Sequence, residues 1–480
     1  MPQQPNILLV MADQLVPFLT GAYGHPVVRT PALDALGADG VRFDAAYTPY
    51  PLCSPARAAL LTGRYASGLG CYDNASVLPA DEPTVAHYLT NAGYETVLSG
   101  KMHFIGPDQL HGFRRRLTTD VFPATMDWVP TMDEEGRFVR GGHARSYVPP
   151  NVGVARWTKF LSYDEETHFR ALEFIRERGR LDPEEPFFLV VSYHHPHDPF
   201  KVTRELWDLY DGETIDLPRM PDEVERSAMD IWANEAHETD QVDLSDPAAL
   251  TALRRAYYGL VTYVDRKLGE LREALEQTGQ ARDTVVLFAS DHGDMLGERG
   301  MVQKRCFYEW SVRVPLLLAF PDGRDAGTSV IEPVSLLDLV PTLLDLAGVD
   351  RRLPLDGESL LDVRRDRVVL AEYHVEKVRA PCFMARRGRF KYILVHGHGS
   401  QLFDLQADPS EWENLAGRPE VGDVEAELHA AILRQFDPDL IAAAGAASVE
   451  RRELIREAMA RNGTRWDYSP VFDATTQYVR

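Results

Sequence analysis

The sequence is poor in cysteine and in basic residues, and each shortage excludes a class of protein. Its 480 residues include four cysteines without a C-x-x-C pair: Cys53, Cys71, Cys306 and Cys382. Cysteines this few and scattered do not build a disulfide scaffold and favour a reducing compartment. The chain carries 51 Lys and Arg against 73 Asp and Glu, a formal net charge of -22. That excess of acid argues against a nucleic-acid partner or an anionic membrane surface.

Long apolar runs are absent as well. No stretch approaches the ~20 apolar residues that span a bilayer. The opening segment MPQQPNILLVMADQ lacks the basic leader of a signal peptide. We therefore expect a cytoplasmic protein with no membrane partner. The sequence has no internal repeat, and its length allows one large domain plus a smaller one, or two to three ordinary domains.

Four apolar runs have the composition of strands buried on both faces. They are residues 6–14, 187–199, 283–294 and 314–320. Helical patterns lie between them, so the sequence predicts an α/β fold with a large, mostly parallel mixed sheet sandwiched by helices. Beyond residue 365, short strands and a helix near 420–436 predict a smaller C-terminal α+β subdomain. We place the two domains at residues 1–365 and 366–480.

Unusual polar residues follow three of these runs. Within the first run the apolar stretch is followed by Asp13, and within the other two by His194, His195, His197, Asp291, His292 and Asp294. Ligand sites of open α/β sheets gather beyond the carboxyl ends of the strands, so we expect these side chains to converge. Carboxylates with an imidazole suit Ca²⁺, Mg²⁺ or Mn²⁺ better than a metal that prefers thiolates. The alternative for any single aspartate is a cap on the following helix.

The segment PLCSPARAALLTGR, residues 51–64, places a cysteine at the start of a helix. Ser54 has the character of an N-cap and Pro55 of the first helical residue. Cys53 is therefore expected at the positive end of the helix dipole. Arg57, four residues after Cys53, can return its guanidinium to the same end. This arrangement predicts a site for an anion.

Two lysines are further candidates for anion binding. Lys101 and His103 are two residues apart in SGKMHF and could contact one oxyanion from an extended segment. Lys304 follows SDHGDMLGERG on a glycine-rich loop that could fold back over the strand ends. The alternative for these residues is an ordinary solvated surface.

The segment YHHPHDPF fixes the direction of two histidines. Pro196 and Pro199 restrict the backbone around His195 and His197. One of these imidazoles could protonate a leaving group near neutral pH. The alternative is a proline-rich strand exit whose histidines bond only to the backbone. Two weakly periodic segments, at about 107–160 and 210–245, are expected to be a long loop that shapes a pocket and an irregular, solvated insertion.

These motifs together resemble the sulfatases of the alkaline-phosphatase superfamily. Their C-x-P-x-R signature stands at residues 53–57, and ILLVMADQ and SDHGDMLGERG also match. The resemblance implies an alkaline-phosphatase-like sulfatase domain in which a separate maturation enzyme oxidises Cys53 to formylglycine. The hydrate of formylglycine is the nucleophile in that family, and the product is a free alcohol and sulfate.

The resemblance also assigns roles to individual residues. It implies one divalent metal ion, Ca²⁺ before Mg²⁺ or Mn²⁺, with ligands at Asp13, Cys53, Asp291 and His292. The catalytic residues that it implies are Cys53, Arg57, Lys101, His103, His197 and Lys304. Arg57 holds the nucleophile, the lysines bind sulfate oxygens, His103 assists turnover at formylglycine and His197 is the acid. Many sulfatases have Asp-Asp where this chain has Asp13-Gln14, which leaves the role of Gln14 open, because a neutral amide binds a hard cation less strongly.

Within the family, the segments MADQ, CYDNASVLPADEPTVAHYL, AEYH, RRGRFKY and WDYSPVFDATTQYVR are similar to choline-sulfatases. The resemblance implies hydrolysis of choline sulfate to choline and sulfate. It implies that the trimethylammonium group is held by Asn74, Trp128, His143 and Glu372. A cation over an indole face is worth ~1 to 2 kcal/mol when desolvated. A homo-oligomer, dimer or tetramer, is also implied, with the aromatic tail at residues 465–480 reaching a neighbouring subunit.

Three other functions compete with this one. An arylsulfatase, or a phosphonate monoester or phosphodiester hydrolase, uses the same scaffold and differs only in the pocket for the leaving group. A non-catalytic relative would bind a metal and an anion without converting Cys53. A Cys53 thiolate paired with a histidine for acyl transfer is the third alternative, and it leaves Arg57 and the metal site without a role.

Overall fold

The computed structural model describes residues 4–131, 143–218, 220–221 and 225–467. The strands are β1 Asn6–Asp13, β2 Val41–Phe43, β3 Ala46–Tyr47, β4 Glu95–Gly100, β5 Arg115–Arg116, β6 Gly153–Val154, β7 Phe187–Pro196, β8 Lys201–Val202, β9 Thr284–Ser290, β10 Leu316–Ala319, β11 Thr328–Val330, β12 Val334–Ser335, β13 Val369–Tyr373, β14 Cys382–Arg387, β15 Phe390–Val395 and β16 Gly399–Asp404. The α-helices are α1 Pro31–Asp39, α2 Cys53–Thr62, α3 Val85–Asn91, α4 Lys159–Leu181, α5 Arg204–Asp208, α6 Ala228–His237, α7 Pro247–Gln277, α8 Glu309–Val312, α9 Leu339–Ala347, α10 Gly422–Gln435 and α11 Pro438–Asn462.

A large sheet contains eight of these strands in the order β11-β2-β10-β9-β1-β7-β4-β5. Its centre is parallel, because Ile7 of β1 pairs with Phe188 of β7 on one side and Val285 of β9 on the other. Strand β10 runs antiparallel to both of its neighbours, β2 and β9. The predicted α/β fold with a large, mostly parallel mixed sheet is therefore confirmed.

Helices cover both faces of this sheet, which explains why its central strands are mostly apolar. Leu9 of β1 packs into a core with α2, α3 and α9. Its neighbours Leu8 and Val10 point to the other face and pack with α4 and α7. Successive side chains of a strand alternate between faces. A strand that is buried on both sides therefore has no solvent-facing positions that would favour polar residues.

The two segments expected to be irregular differ from each other. Between 107 and 160 the described residues form only short pieces, namely β5, β6 and a 3-10 turn at His143–Tyr147. The segment 210–245, by contrast, contains α6, so the expectation of a merely solvated insertion is wrong there. Ser227 and Asp230 start α6 with a capping box. Trp232 and His237 are buried on it.

The C-terminal part has its own antiparallel sheet, β13-β14-β15-β16. Phe383 of this sheet packs against Leu428 and Ile432 of α10, the helix predicted near 420–436. Lys391 of β15 ties the sheet to α8 through a buried ion pair with Glu309 at 3.0 Å. The C-terminal subdomain is thus confirmed, and its boundary at residue 365 stays a prediction. Among the described helices, none has both the length and the apolar character required to cross a bilayer.

Candidate active site

Four neighbouring strands supply the centre of the candidate site. Strands β9, β1, β7 and β4 lie side by side in that order and are parallel. Asp291 follows β9, Asp13 ends β1, His197 follows β7 and Lys101 follows β4. Their carboxyl ends lie at one edge of the sheet, so the structure brings these residues together as strand order requires.

Arg57 binds this cluster from within. Its side chain is fully buried, with Nε donating to Asp291 Oδ2 at 2.8 Å and Nη2 to Asp13 Oδ2 at 3.1 Å. Nη1 donates to the Lys101 carbonyl at 2.5 Å and to Ser192 Oγ at 2.9 Å. Burial alone lowers the pKa of Arg57, but the two carboxylates outweigh burial and raise it. The guanidinium therefore stays charged and fixes the direction of both carboxylates.

Cys53 lies at the edge of this charged cluster. Its Sγ is 3.1 Å from His292 Nε2, 3.8 Å from Asp13 Oδ1 and 4.0 Å from Lys101 Nζ. Burial alone raises the pKa of Cys53, but Lys101, Lys304 and His292 outweigh it and lower the pKa well below its ordinary value. The surroundings thus stabilise negative charge on the side chain at position 53.

Helix α2 begins at Cys53, whereas the sequence predicts Ser54 as the N-cap and Pro55 as the first helical residue. Leu52 occupies the N-cap position and has no side-chain cap. Instead, Oδ1 of Asn74 accepts the Ser54 N–H at 3.0 Å. The prediction of Ser54 as N-cap is therefore wrong. The acceptor at this end of the helix is Asn74, which lies 20 residues further along the chain. Cys53 remains at the positive end of the helix dipole.

Four buried donors fit a divalent cation. The ligand atoms of Asp13, Cys53, Asp291 and His292 lie within 4.8 Å of one another. His292 Nδ1 lies 3.0 Å from the Gly293 carbonyl, so this nitrogen carries the proton and the Nε2 lone pair faces the cluster. Carboxylate oxygens dominate the set, which suits a hard cation. The structure thus brings together the four predicted ligands.

Lys304 closes the site from the loop that precedes α8. Its Nζ contacts the amide oxygen of Gln14 and lies 2.9 Å from His197 Nε2. The amide nitrogen of Gln14 contacts Asp294, so both ends of this side chain are engaged. Lys304 is therefore fixed beside the candidate acid rather than left on a solvated surface.

The two candidate acids have different surroundings. His195 Nδ1 lies 2.5 Å from Asp164 Oδ2, and its backbone N–H also donates to that carboxylate at 3.0 Å. His197 Nδ1 lies 2.9 Å from the Asp198 carbonyl, which leaves Nε2 facing Lys304. His197 therefore faces Lys304 inside the site, whereas His195 is held by Asp164, and the role of His197 as the acid stays a prediction.

His103 reaches the site through a turn rather than along an extended segment. Its φ is 59°, and Asp120 Oδ2 accepts its backbone N–H at 2.6 Å. Both ring nitrogens are buried without a hydrogen-bond partner among the described residues. The ring packs against Trp128 with centroids 5.4 Å apart. His103 is therefore able to bond to a ligand, although the predicted extended geometry with Lys101 is wrong.

Phe122 is a site residue that sequence reasoning missed. Lys101 Nζ lies 4.7 Å from the centroid of its ring. The same ring contacts His103 at 5.5 Å and Trp128 at 4.9 Å. Phe122 thus forms an aromatic wall beside the lysine. The segment that contains it has no periodicity that would mark one aromatic residue above another.

Most polar residues predicted to hold a trimethylammonium group already have hydrogen-bond partners within the protein. Asn74 Oδ1 bonds to the start of α2, as described above. Glu372 accepts the Ser67 N–H at 2.8 Å, and its other oxygen lies 2.8 Å from His374 Nε2. The carboxylate that contacts Asn74 is Glu376, whose Oε2 accepts the Asn74 N–H at 3.2 Å. Sequence reasoning missed Glu376, although it is a polar residue just after the apolar strand β13.

His143 lies in a positively charged environment. Its ring is half-buried in the 3-10 turn and lies 5.8 Å from the ring of His237. Burial first, and then the charges of Lys377 and Arg305, lower the pKa of His143 to about 2. These surroundings differ from the acidic or aromatic environment that suits a quaternary ammonium group.

The start of the predicted oligomerisation tail contacts its own chain. Asp467 Oδ1 accepts the Ala124 N–H at 3.0 Å, and Trp466 packs against the cluster that contains Val129. The rest of the tail, residues 468–480, lies outside the described residues. The oligomeric role of the tail stays a prediction.

Comparison with known proteins gives the class to which this fold and site belong. The Sulfatase family model matches residues 5–349, and the model of the N-sulphoglucosamine sulphohydrolase C-terminal region matches residues 297–437. The first match covers more than half of the 480 residues. The chain therefore belongs to the sulfatase family and is a sulfuric ester hydrolase.

Individual relatives narrow the comparison. The chain is 39% identical to the choline-sulfatase of Rhizobium meliloti (strain 1021), over 99% of this chain and 96% of the relative. It is 29% identical to the arylsulfatase of Clostridium perfringens, over 87% and 91% of the two chains. The crystal structure of the phosphonate monoester hydrolase of Agrobacterium radiobacter matches with a TM-score of 0.68 and 26% identity, over 90% and 95% of the two chains.

Proposed function

We propose that the chain hydrolyses a small sulfate ester with a formylglycine made from Cys53 and one divalent metal ion. The observation that carries this proposal is the position of Cys53, which begins α2 within 4.0 Å of Asp13, His292 and Lys101. A nucleophile and a transferred sulfuryl group at this point meet a helix dipole and fixed cations. A maturation enzyme is the partner that this chemistry requires.

The metal site is proposed at Asp13, Asp291, His292 and residue 53. Ca²⁺ is proposed first because two carboxylates dominate the donors, and Mg²⁺ and Mn²⁺ are the alternatives. When bound, the ion supplies positive charge that activates a hydroxyl at residue 53 and offsets the charge of the sulfuryl group. Arg57 keeps both carboxylates in place through the bonds described above.

The remaining side chains have separable tasks. One hydroxyl of the formylglycine hydrate attacks sulfur and gives its proton to the Asp13 carboxylate, whose Oδ1 lies 3.8 Å from Sγ of Cys53. Deprotonation of the second hydroxyl then expels sulfate and restores the aldehyde, which water hydrates again. Lys101 and Lys304 bind the sulfate oxygens and offset their charge. The proton that the departing alcohol oxygen takes up as the S–O bond breaks comes from His197 paired with Lys304, whose ammonium donates to His197 Nε2 at 2.9 Å. His103, with two unpaired ring nitrogens, takes the proton of the second hydroxyl.

The identity of the alcohol is supported by the relatives. The match to choline-sulfatase supports choline sulfate, and Trp128 beside Phe122 offers one aromatic surface for it. The arylsulfatase and phosphonate monoester hydrolase matches support aryl sulfates and phosphonate monoesters as alternatives. We also propose a homo-oligomer, which deletion of residues 465–480 would loosen in size-exclusion chromatography.

The test combines one mass measurement with one assay. The protein is co-expressed with a formylglycine-generating enzyme, and the peptide that contains Cys53 is analysed by mass spectrometry. We expect loss of sulfur at Cys53, while Cys71, which is also buried, keeps its thiol as an internal control. Sulfate release is then measured from choline sulfate and an aryl sulfate, beside hydrolysis of an aryl phosphonate monoester. Intact sulfur at Cys53 with no hydrolysis would favour a non-catalytic relative.

A further inference from the structure

Two buried polar side chains next to the sulfate site have no hydrogen-bond partner within the described chain. Lys377 is 4% exposed and its Nζ has no hydrogen bond there. His237 is 0% exposed and neither ring nitrogen is bonded. His143 packs on His237, and Arg305 is buried nearby. We call Lys377, His143, His237, Arg305 and the partner of Arg305, Glu376, the alcohol-side cluster.

One chain of contacts joins this cluster to the candidate acid. Asp198, whose carboxylate lies 3.1 Å from His197 Nδ1, accepts a bond from Gln303 Nε2 at 2.9 Å. Gln303 Oε1 in turn accepts from Arg305 Nη1 at 3.1 Å. Gln303 and Arg305 have φ of 67° and 76°, and between them Lys304 turns toward His197. The cluster therefore begins one residue from a sulfate-binding lysine.

A second chain of contacts joins the cluster to the helix that carries Cys53. Arg305 Nη2 lies 2.7 Å from Glu376 Oε1. Glu376 Oε2 accepts the Asn74 N–H at 3.2 Å, and Asn74 Oδ1 accepts the Ser54 N–H at 3.0 Å. The cluster thus borders the reacting position on two sides. An ester whose sulfate group lies at Lys304 would have this cluster beside it.

The cluster has a positive environment. The carboxylate of Glu376 is neutralised by Arg305, so it offers no free negative charge to a quaternary ammonium group. Burial first, and then Arg305 and Lys304, lower the pKa of Lys377 well below its ordinary value, although Glu376 and Asp198 oppose them. The pKa of His237 is lowered by burial, Lys377 and Arg305 in the same way. These shifts agree with the geometry, since cations face one another here without enough anions.

Buried polar groups in native proteins almost always have partners. A lysine amine and an imidazole left without any are therefore a sign of a missing ligand rather than of a finished core. An oxyanion would accept hydrogen bonds from Lys377 and His237 and would balance the charge of protonated Lys377. A trimethylammonium group could do neither, because it has no acceptor atom and adds positive charge.

We propose that the alcohol-side cluster is a second anion subsite, which binds a carboxylate or sulfate group on the alcohol part of the substrate. Lys377 is its central substrate-binding residue. The proposal rests on the proposed sulfate ester hydrolysis for the other end of the molecule. It makes an anionic sulfate ester, rather than choline sulfate, the preferred substrate.

The experiment compares esters that differ in the charge of the alcohol. The metal-loaded, converted enzyme is assayed with 3- and 4-carboxyphenyl sulfate, phenylene disulfate, phenyl sulfate and choline sulfate. The carboxylate and sulfate arms distinguish the two kinds of anion, and the two isomers offer two distances. We expect KM for the best anionic ester to be at least about tenfold below that of phenyl sulfate. We expect choline sulfate to have the lowest kcat/KM.

Variants of Lys377 test the source of that preference. Lys377→Ala should raise KM for the anionic ester, relative to KM for phenyl sulfate, at least about fivefold. Lys377→Arg should retain most of the preference. Arg379→Ala is the matched control, because Arg379 lies on the same loop but is exposed and paired with Glu235. It removes the same charge without touching the cluster.

Each outcome is decisive. An unchanged preference in Lys377→Ala, or better turnover of choline sulfate than of every anionic ester, would overturn the subsite. Calorimetry with the unconverted Cys53 protein measures binding of the carboxyphenyl sulfates without turnover. Binding that depends on Lys377, with no hydrolysis of any ester, would mean that the proposed function fails and the subsite stands. Hydrolysis of all esters without dependence on Lys377 would mean the reverse.

Discussion

On the sulfate side of the site, Arg57 is bonded to Asp13 and Asp291, whereas on the alcohol side Lys377 and His237 are unbonded within the described chain. The first group comes from parallel strand ends and the helix α2. The second comes from the last residue of α6 and from the loop that follows β13. Arg57 and its two carboxylates are balanced before any organic ligand binds, whereas Lys377 and His237 are completed only by a ligand.

The residues that carry out the reaction are thus held differently from the residues that select the alcohol. Residues that must hold a nucleophile and a metal ion gain from rigid elements that fix their geometry in advance. Residues that select the alcohol lie on loops, where substitutions alter charge without disturbing the sheet. Two sulfatases can therefore share a sulfate side and differ entirely in the alcohol that they accept.

Removal of the metal ion should have the largest effect and should act on the sulfate side alone. Chelation with EDTA should abolish hydrolysis of every ester, because the nucleophile and the sulfuryl charge both lose their counter-charge. It should also lower Tm, since an ion at 100 times its Kd contributes about 2.7 kcal/mol to stability. Scanning fluorimetry with and without EDTA measures the second effect independently of activity.

Two variants show whether the change in Tm on adding EDTA comes from the sulfate side or from the alcohol side. Asp291→Asn should make Tm insensitive to EDTA, because it removes a proposed ligand. Lys377→Ala should show the same EDTA shift as the unaltered chain. A converted enzyme that keeps its activity and its Tm after chelation would contradict the metal site.

Lys304→Ala should have the next largest effect. Loss of one fixed cation at the developing charge is expected to lower kcat/KM about 10²- to 10³-fold. All esters should be affected alike, because Lys304 contacts the sulfate end. Lys159→Ala, at the exposed start of α4, is the control for removal of a lysine. A loss of kcat/KM for anionic esters alone would instead mean that Lys304 binds the alcohol part of the substrate. The division of the site into a sulfate side and an alcohol side would then be wrong.

The sulfate side could be predicted from sequence because its residues follow a simple rule. Asp13 and Asp291 stand at the carboxyl ends of apolar strands, and parallel strands end at one edge. The large sheet was predictable for the same reason, since runs buried on both faces have a distinct composition. Cys53 and Arg57 were marked by a short motif at a helix start.

The alcohol side could not be predicted because its contacts join remote segments. Asn74 and Glu376 are 302 residues apart, and Arg305 and Glu376 are 71 apart. No local pattern indicates that Asn74 supplies the partner of Ser54, or that Glu376 rather than Glu372 faces it. Helix α6 was missed for another reason, since an acid-rich composition hid the capping box at Ser227.

Glu376→Gln should have the smallest effect on kcat/KM. It should increase the preference for anionic esters over choline sulfate. The amide keeps an acceptor for the Asn74 N–H but removes the charge that neutralises Arg305, so the cluster becomes more positive. The kcat/KM for anionic esters should rise about three- to tenfold relative to phenyl sulfate, while choline sulfate becomes a poorer substrate. Steady-state assays with the same esters measure these ratios.

Glu372→Gln is the matched control, because it neutralises another fully buried carboxylate only four residues away. Since Glu372 bonds to Ser67 and His374, its loss should lower Tm without changing the ratio between esters. A fall in choline sulfate turnover that is specific to Glu372→Gln would contradict the alcohol-side cluster. The trimethylammonium site would then lie at Glu372, where the sequence resemblance predicts it, and the positive cluster would have to serve stability alone.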